Sequence, residues 1–348
     1  MKFDFIIGNP PYQDDVQDSD NKTFMPPIYN LFMDGAYEIS DRVELIHPAR
    51  FLFNAGQTPK AWNEKMLNDP HFRILHYEQD ASKVFPNTYI NGGVVISYHS
   101  ALENFGRIGT FTAFNELNSI LQKTQANSNG RVLGEIVFNQ NRFLLDALYQ
   151  DYPMFESVIG SNGRDRRFRN NIFDKISVFT DEKTEEAIRI LGIMKGKRVW
   201  KYIPQKYVDL THGNLQTWKI VISSADGAAG TVGHPIPARI LGEPSVLAPM
   251  EGYTQTFIGI GSFDLKEQAE NAAKYIRTKF CRTLAGILKI TQHITPDTFA
   301  YVPLQDFTSA SDIDWKKPIS DIDEQLCKKY GFDQEEINFI ESHVKEMA

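Results

Sequence analysis

The first residues whose types and spacing could do chemistry are Asn9-Pro10-Pro11-Tyr12, which follow the apolar run FDFIIG directly. Adjacent prolines stop a strand, because each has a fixed φ and no backbone N–H for the ladder. The same property leaves carbonyls exposed with no neighbouring N–H to compete for them. Asn9 supplies a side-chain carbonyl and Pro10 a main-chain carbonyl, two acceptors at a set separation that suit an NH2 group. Tyr12 adds a flat ring able to stack on a planar base. An exocyclic amine conjugated into a ring is a poor nucleophile, since its lone pair is delocalised. Acceptors pulling on both N–H bonds favour a pyramidal nitrogen and stabilise the charge it acquires as it gains a methyl group. The plainer reading is a rigid turn with a capping Asn and a packed Tyr, and the apolar strand just before it weighs against that.

A second set of residues could grip a polyanion. The stretch SNGRDRRFRNN holds Arg164, Arg166, Arg167 and Arg169 in a Gly/Asn-rich loop. Arginines so placed hold phosphates or read guanine edges bidentately. KGKRVWKY adds Lys195, Lys197, Arg198 and Lys201 beside Trp200, and Lys274, Arg277, Lys279 and Arg282 recur at helical spacing. Each run read alone is equally a solvated charged face. The eight histidines show no metal-ligand spacing, so no metal is expected. His47, in the turn IHPAR, reads as a structural histidine, and Asp14, Asp15, Asp18 and Asp20 read as a mobile acidic loop over the site.

The elements that must position these residues follow from periodicity. Over the first 115 residues strands and helices alternate: FDFIIG as a short buried parallel strand, PIYNLFMDGAYEIS as a helix, RVELIHP as a strand, KAWNEKMLND as a helix, then the strands HFRILHYEQD and GGVVISYHS. This order predicts an α/β layer with a mostly parallel sheet, its last two strands pairing antiparallel at an edge. From about residue 116 loops multiply. Strand-like VWKYI, WKIVIS, FIGIG and YVPL alternate with the expected helices EKTEEAIRILGIMK and LKEQAENAAKYIRTKFCRTLAGILK, ahead of a helical tail. The expected domains are 1–115 and 116–348, the second α+β.

Phe5 to Tyr12 resembles motif IV of the methyltransferases that carry a methyl group from S-adenosylmethionine to adenine N6 in DNA. IYNLFMDGAYEIS, ELIHPARFL, HFRILHYEQD and KVFPNTYINGGVVISYHS resemble motifs V to VIII. The later region, SFDLKEQAENAAKYIRTKFCRTLAGILKITQHITPDTFAYVPLQDF above all, resembles the target-recognition region of type II and type IIG restriction–modification methylases. The resemblance implies a partial Rossmann-like methyltransferase sheet followed by an α+β target-recognition domain, with double-stranded DNA as partner. It implies that Asn9, Pro10, Pro11 and Tyr12 are catalytic, and that Tyr12 and Phe85 sandwich a flipped adenine.

In that family the S-adenosylmethionine site precedes motif IV, and only eight residues precede Asn9 here. The expectation is therefore a fragment or split subunit, completed by a partner subunit or an N-terminal segment that carries the cofactor site. A permuted cofactor site at TFIGIGSFD is the weaker possibility, because a lone glycine pair is poor evidence. The alternative function is a non-catalytic DNA-binding or specificity subunit; a protein-glutamine or ribosomal-RNA methyltransferase explains the long basic C-terminal region less well.

Composition fits this. The 348 residues carry a net charge of −7, yet Ser161–Lys219 holds 13 basic against 7 acidic residues and Lys266–Thr291 holds 6 against 2. An acidic chain with local basic excess can still present a basic face. Two cysteines exclude a disulfide framework, and with no signal peptide or apolar run long enough to span a bilayer they point to a cytoplasmic protein.

Overall fold

The computed structural model describes residues 2–13, 26–53, 57–86, 90, 92–225, 236–289 and 293–347. The chain divides into two compact units, Met1–Asn118 and Ser119–Ala348, and is of mixed α/β type. The acidic residues Asp14, Asp15, Asp18 and Asp20 lie outside the described residues.

In the first unit one sheet has the order β1-β2-β4-β3, built from β1 (Ile6–Gly8), β2 (Arg42–Pro48), β3 (Phe72–Glu78) and β4 (Val94–Ser100). Helix α1 (Tyr29–Ile39) links β1 to β2, and α2 (Lys60–Asn68) lies between β2 and β3. β1 and β2 are parallel, with Ile6 opposite Val43. β4 is antiparallel to both β2 and β3 and lies between them, so the sheet is not mostly parallel. β1, β2 and β3 still point the same way. The core gathers Met33, Val43, Leu45, Phe51, Met66 and Phe72, all nearly inaccessible.

β1 departs from the expected buried strand. Among the described residues it pairs on one side only, and Ile7 is 72% exposed, with Phe3 and Phe5 exposed as well. The neighbouring α1 leaves Leu31 63% exposed, and Phe32 and Ile39 exposed. An apolar run is buried only if something lies against it, and a run by itself carries no information about that neighbour.

The second unit holds two sheets. A four-stranded antiparallel sheet has the order β5-β11-β8-β9, from β5 (Val137–Phe138), β8 (Trp218–Ser223), β9 (Ser245–Leu247) and β11 (Phe257–Phe263). A three-stranded sheet has the order β10-β6-β7, from β6 (Ala187–Met194), β7 (Lys197–Pro204) and β10 (Glu251–Tyr253). Three expectations fail here. EKTEEAIRILGIMK is not a helix: its second half is β6, whose Ile188 and Ile190 alternate into the core and whose turn returns into β7. Cross-strand pairing of the β-branched Ile188, Ile190 and Ile193 overrides the helix preference of Ala187, Leu191 and Met194. YVPL makes only an isolated bridge, Val132 to Pro303, and no strand. The long basic helix is two, Lys266–Arg277 and Lys279–Leu288, broken at Thr278. Thr278 turns extended, and its hydroxyl caps the Cys281 N–H at 3.1 Å. The Asp323 carboxylate accepts from the Lys279 and Phe280 N–H groups at 2.9 and 2.8 Å, satisfying donors that a helix start leaves free.

Candidate functional site

Because β1, β2 and β3 run the same way, their carboxyl ends lie at one end of the sheet. Asn9–Tyr12 follow β1, Ala49–Arg50 follow β2, and the turn Asp80–Phe85 follows β3. Ligands of open α/β sheets sit at such an end. Two contacts tie the loops together. The Ala49 N–H donates to the Gly93 carbonyl at 3.0 Å, and the Tyr12 and Phe85 rings meet edge-on with centroids 6.5 Å apart and planes at 67°. Gly93 has φ of 79°, and a Cβ there would lie 2.4 Å from the Glu78 carbonyl, so only glycine lets β3 and the start of β4 close at this point.

Asn9 is exposed and Pro10 half-buried, and neither the Asn9 side chain nor the Pro10 carbonyl has a hydrogen-bond partner among the described residues. Tyr12 is half-buried. Its carbonyl accepts from the Ile28 N–H at 3.2 Å, which ties the loop to the start of α1. Its buried hydroxyl has no partner, and burial pushes its pKa up to about 12, so the ring is neutral at any physiological pH. A base held between two aromatic faces needs about 7 Å, twice a contact distance of about 3.5 Å. At 6.5 Å and 67° the Tyr12 and Phe85 rings lie edge-on and closer together than that spacing.

Beneath this loop His47 is fully buried, its ring stacked on Tyr29 at 5.7 Å. Nδ1 carries the proton, because its partner at 3.1 Å, the Pro48 carbonyl, can only accept. Nε2 takes the Ser97 hydroxyl hydrogen at 2.7 Å. Burial lowers the pKa to about 4 and holds the ring neutral. His47 is a satisfied structural residue that fixes the end of β2.

The basic residues divide into engaged and free. Arg166 pairs with Asp209 at 3.0 Å, and the buried Asp165 carboxylate binds Arg167 at 2.8 Å and Arg169 at 2.8 Å. Asp165 titrates below the usual carboxylate range, chiefly because of its hydrogen bond from Arg167. Phe168 points into the core. Arg164 is exposed and has no partner among the described residues. On the helix pair, Lys274 donates to the Trp315 carbonyl at 2.6 Å, Arg277 pairs with Glu243 at 2.9 Å, and Lys279 pairs with Glu341. Arg282 is 1% exposed and donates to the carbonyls of Thr278, Arg277 and Lys345. The expected basic edge is therefore not a free one: Arg282 holds helix ends together from inside. On β7, the Lys197 side chain has no partner among the described residues, while Arg198 donates to the Ser245 hydroxyl at 2.8 Å and lies 5.4 Å over the Phe257 ring.

Sequence reasoning missed a pocket of about 300 Å3 in the second unit, lined by Asn139, Arg142, Thr211 and His212 among others. It is assembled from segments 137–142 and 209–213, whose approach no local pattern announces.

At TFIGIGSFD, the weaker possibility for an S-adenosylmethionine site, the glycines do not form a cradle. In TFIGIGSFD a Cβ at Gly259 would lie 2.1 Å from the Tyr253 hydroxyl, and one at Gly261 would lie 2.0 Å from the Phe263 ring. These glycines make room for side chains, and the space beside them is filled. No group of three or more metal-ligating side chains occurs among the described residues, and no helix described is long and apolar enough to cross a membrane.

No curated protein matches the chain. Residues 1–85, the segment from β1 through Phe85 that brings the acceptor pair and both rings to one end of the sheet, match the family model described as Eco57I restriction-modification methylase, and in that segment the chain is similar to such methylases.

Proposed function

We propose that the chain is the target-binding and target-recognition portion of an adenine-N6-specific DNA methyltransferase, with double-stranded DNA as substrate and S-adenosylmethionine as methyl donor. The observation that carries the reading is the free acceptor pair at Asn9 and Pro10, set beside Tyr12 and Phe85 at the carboxyl end of the sheet. The match over residues 1–85 supports it. An adenine in a duplex is stacked and paired, so its amine is reached only after the base is flipped out. Tyr12 and Phe85 receive the flipped ring. The Asn9 side-chain carbonyl and the Pro10 carbonyl accept one N6 hydrogen each. As N6 bonds to the incoming methyl carbon it becomes cationic, and both contacts strengthen, so they stabilise the transition state more than the ground state. Pro11 keeps the two carbonyls at their separation.

The described residues fit the amine side of the reaction and not the donor's pocket. We assign that pocket to a further α/β segment that docks against β1, such as one from a partner subunit. The open edge of β1 and the exposed apolar side chains Phe3, Phe5, Ile7, Leu31 and Phe32 support this docking face. A methyl carbon must come within bonding reach of an amine held at Asn9, so the donor's pocket has to adjoin this strand.

A duplex with 2-aminopurine at the target adenine tests the reading without requiring turnover. Salt-sensitive binding with a rise in fluorescence is expected, and no DNA binding at low salt overturns it. The filled glycines at Gly259 and Gly261 favour a second reading, a non-catalytic specificity subunit. Calorimetric titration with S-adenosylmethionine, with and without candidate partner subunits, separates the two. Methylation that appears only on adding a partner identifies a split enzyme; none with any partner identifies the specificity subunit.

A further inference from the structure

The hairpin β6–β7 is paired without a break from Ala187 opposite Pro204 to Met194 opposite Lys197. Two residues close it, Lys195 with φ of 50° and Gly196 with φ of 74°. Positive φ at both central positions is the backbone of a type I′ turn, which favours Asn, Asp or Gly at its first position, because Cβ crowds the backbone there. Lysine occupies that position although no described residue pairs with its side chain. Lys195, Gly196, Lys197 and Arg198 are all exposed, and among the described residues Lys195 and Lys197 have no hydrogen-bond or ion-pair partner.

Lower in the hairpin the cations are engaged. Arg189 pairs with Glu251 at 3.1 Å and lies 4.0 Å over the Trp200 ring, and Lys201 pairs with Asp181 at 2.7 Å. The base is also fixed. β10 pairs with Arg189 to Leu191, and Gly192 sits so close to Phe173 that a Cβ would lie 2.3 Å from its ring. Arg198 is laid back on Ser245 and Phe257. The outcome is a braced ribbon whose apex carries two unengaged cations, Lys195 and Lys197, no acid and one strained residue. Backbone strain that local packing does not explain is the mark of a functional constraint. In a chain of net charge −7, an isolated cationic apex has a polyanion as its natural partner.

We infer that the β6–β7 apex contacts the sugar–phosphate backbone of duplex DNA, with Lys195 and Lys197 as the two phosphate-binding residues. This rests on the DNA reading above and adds to it the element that makes the contact. A two-stranded ribbon is narrow enough to lie at the lip of a major groove, where its turn meets phosphates. Lysine at the first turn position puts a cation at the very tip, where Asn or Gly would suit the turn better.

The test is salt titration of DNA binding by the full chain, wild type against Lys195→Gly and against Lys195→Gly/Lys197→Ala, on several unrelated duplexes. Lys195→Gly removes the backbone crowding, so its melting temperature is expected to hold or rise while its DNA affinity falls. In the double variant the slope of log K against log salt is expected to drop by about 1.8, about 0.9 for each phosphate contact, equally on every duplex. A wild-type slope in the double variant overturns the assignment of the apex and leaves the DNA reading standing. A loss confined to one duplex sequence overturns it in favour of base reading. No binding by the wild-type chain at low salt overturns the DNA reading itself and the apex contact with it.

Discussion

At Asn9 the chemistry reduces to lone pairs that no described residue has claimed. An exposed amide is free to rotate, but the Pro10-Pro11 pair beside it is not, so the separation of the two carbonyls depends on the stiffest dipeptide available. Asn9→Ala removes one acceptor and leaves the turn intact. If the donor site is supplied, turnover is expected to fall about 10²- to 10³-fold, the loss typical of deleting one transition-state hydrogen-bonding group, with DNA affinity little changed. Steady-state methylation alongside a binding isotherm checks this, and a parallel collapse of affinity would assign Asn9 to the turn instead. His47 makes a different prediction. Its folded pKa of about 4 lies below the ordinary 6.5, so the unfolded chain takes up the proton first. Its contribution to stability is complete above pH 6.5 and is lost as pH falls through about 4, by an amount on the order of 3 kcal/mol. Urea unfolding of the first unit across that range, compared with His47→Gln, isolates the contribution.

Among the elements, the loop 164–169 shows how a cluster of cations is kept in place. Asp165 is buried and binds Arg167 and Arg169, whose side chains remain partly exposed. Asp165→Ala should cost about 2 kcal/mol, since the loop loses its buried acceptor while both guanidiniums stay in reach of water. It should also lower DNA affinity through disorder of the arginines. A thermal melt with a binding curve distinguishes the two effects. The strands of the first unit were legible, because alternating and continuous apolar runs are local signals, and so was the Asn9–Tyr12 loop, whose residues are adjacent. Whether β1 is covered was not legible, since coverage belongs to the neighbour. Nor was β6, where the Glu and Lys residues just ahead of the strand advertise a helix and only the Lys195-Gly196 turn signals a hairpin. Arg282 was read as a surface cation because helical spacing specifies a face, and only packing decides whether that face is outward.

For the whole molecule, the exposed apolar side chains of β1 and α1 are the feature that composition hides. Ile7→Asp with Leu31→Asp replaces two largely exposed apolar groups, so the stability of the chain by itself should change by about 0.5 kcal/mol or less for each. The same pair of changes should suppress self-association in light scattering and abolish complementation by a partner that supplies the donor's pocket. Unaltered complementation would remove β1 from the docking face. An uncovered strand edge with apolar flanks is also what cellular quality control binds and what templates misassembly. β1 thereby sets a stoichiometry. Copies made in excess of whatever covers this edge are the ones expected to be degraded or to aggregate, so the level of this protein should track that of its covering segment.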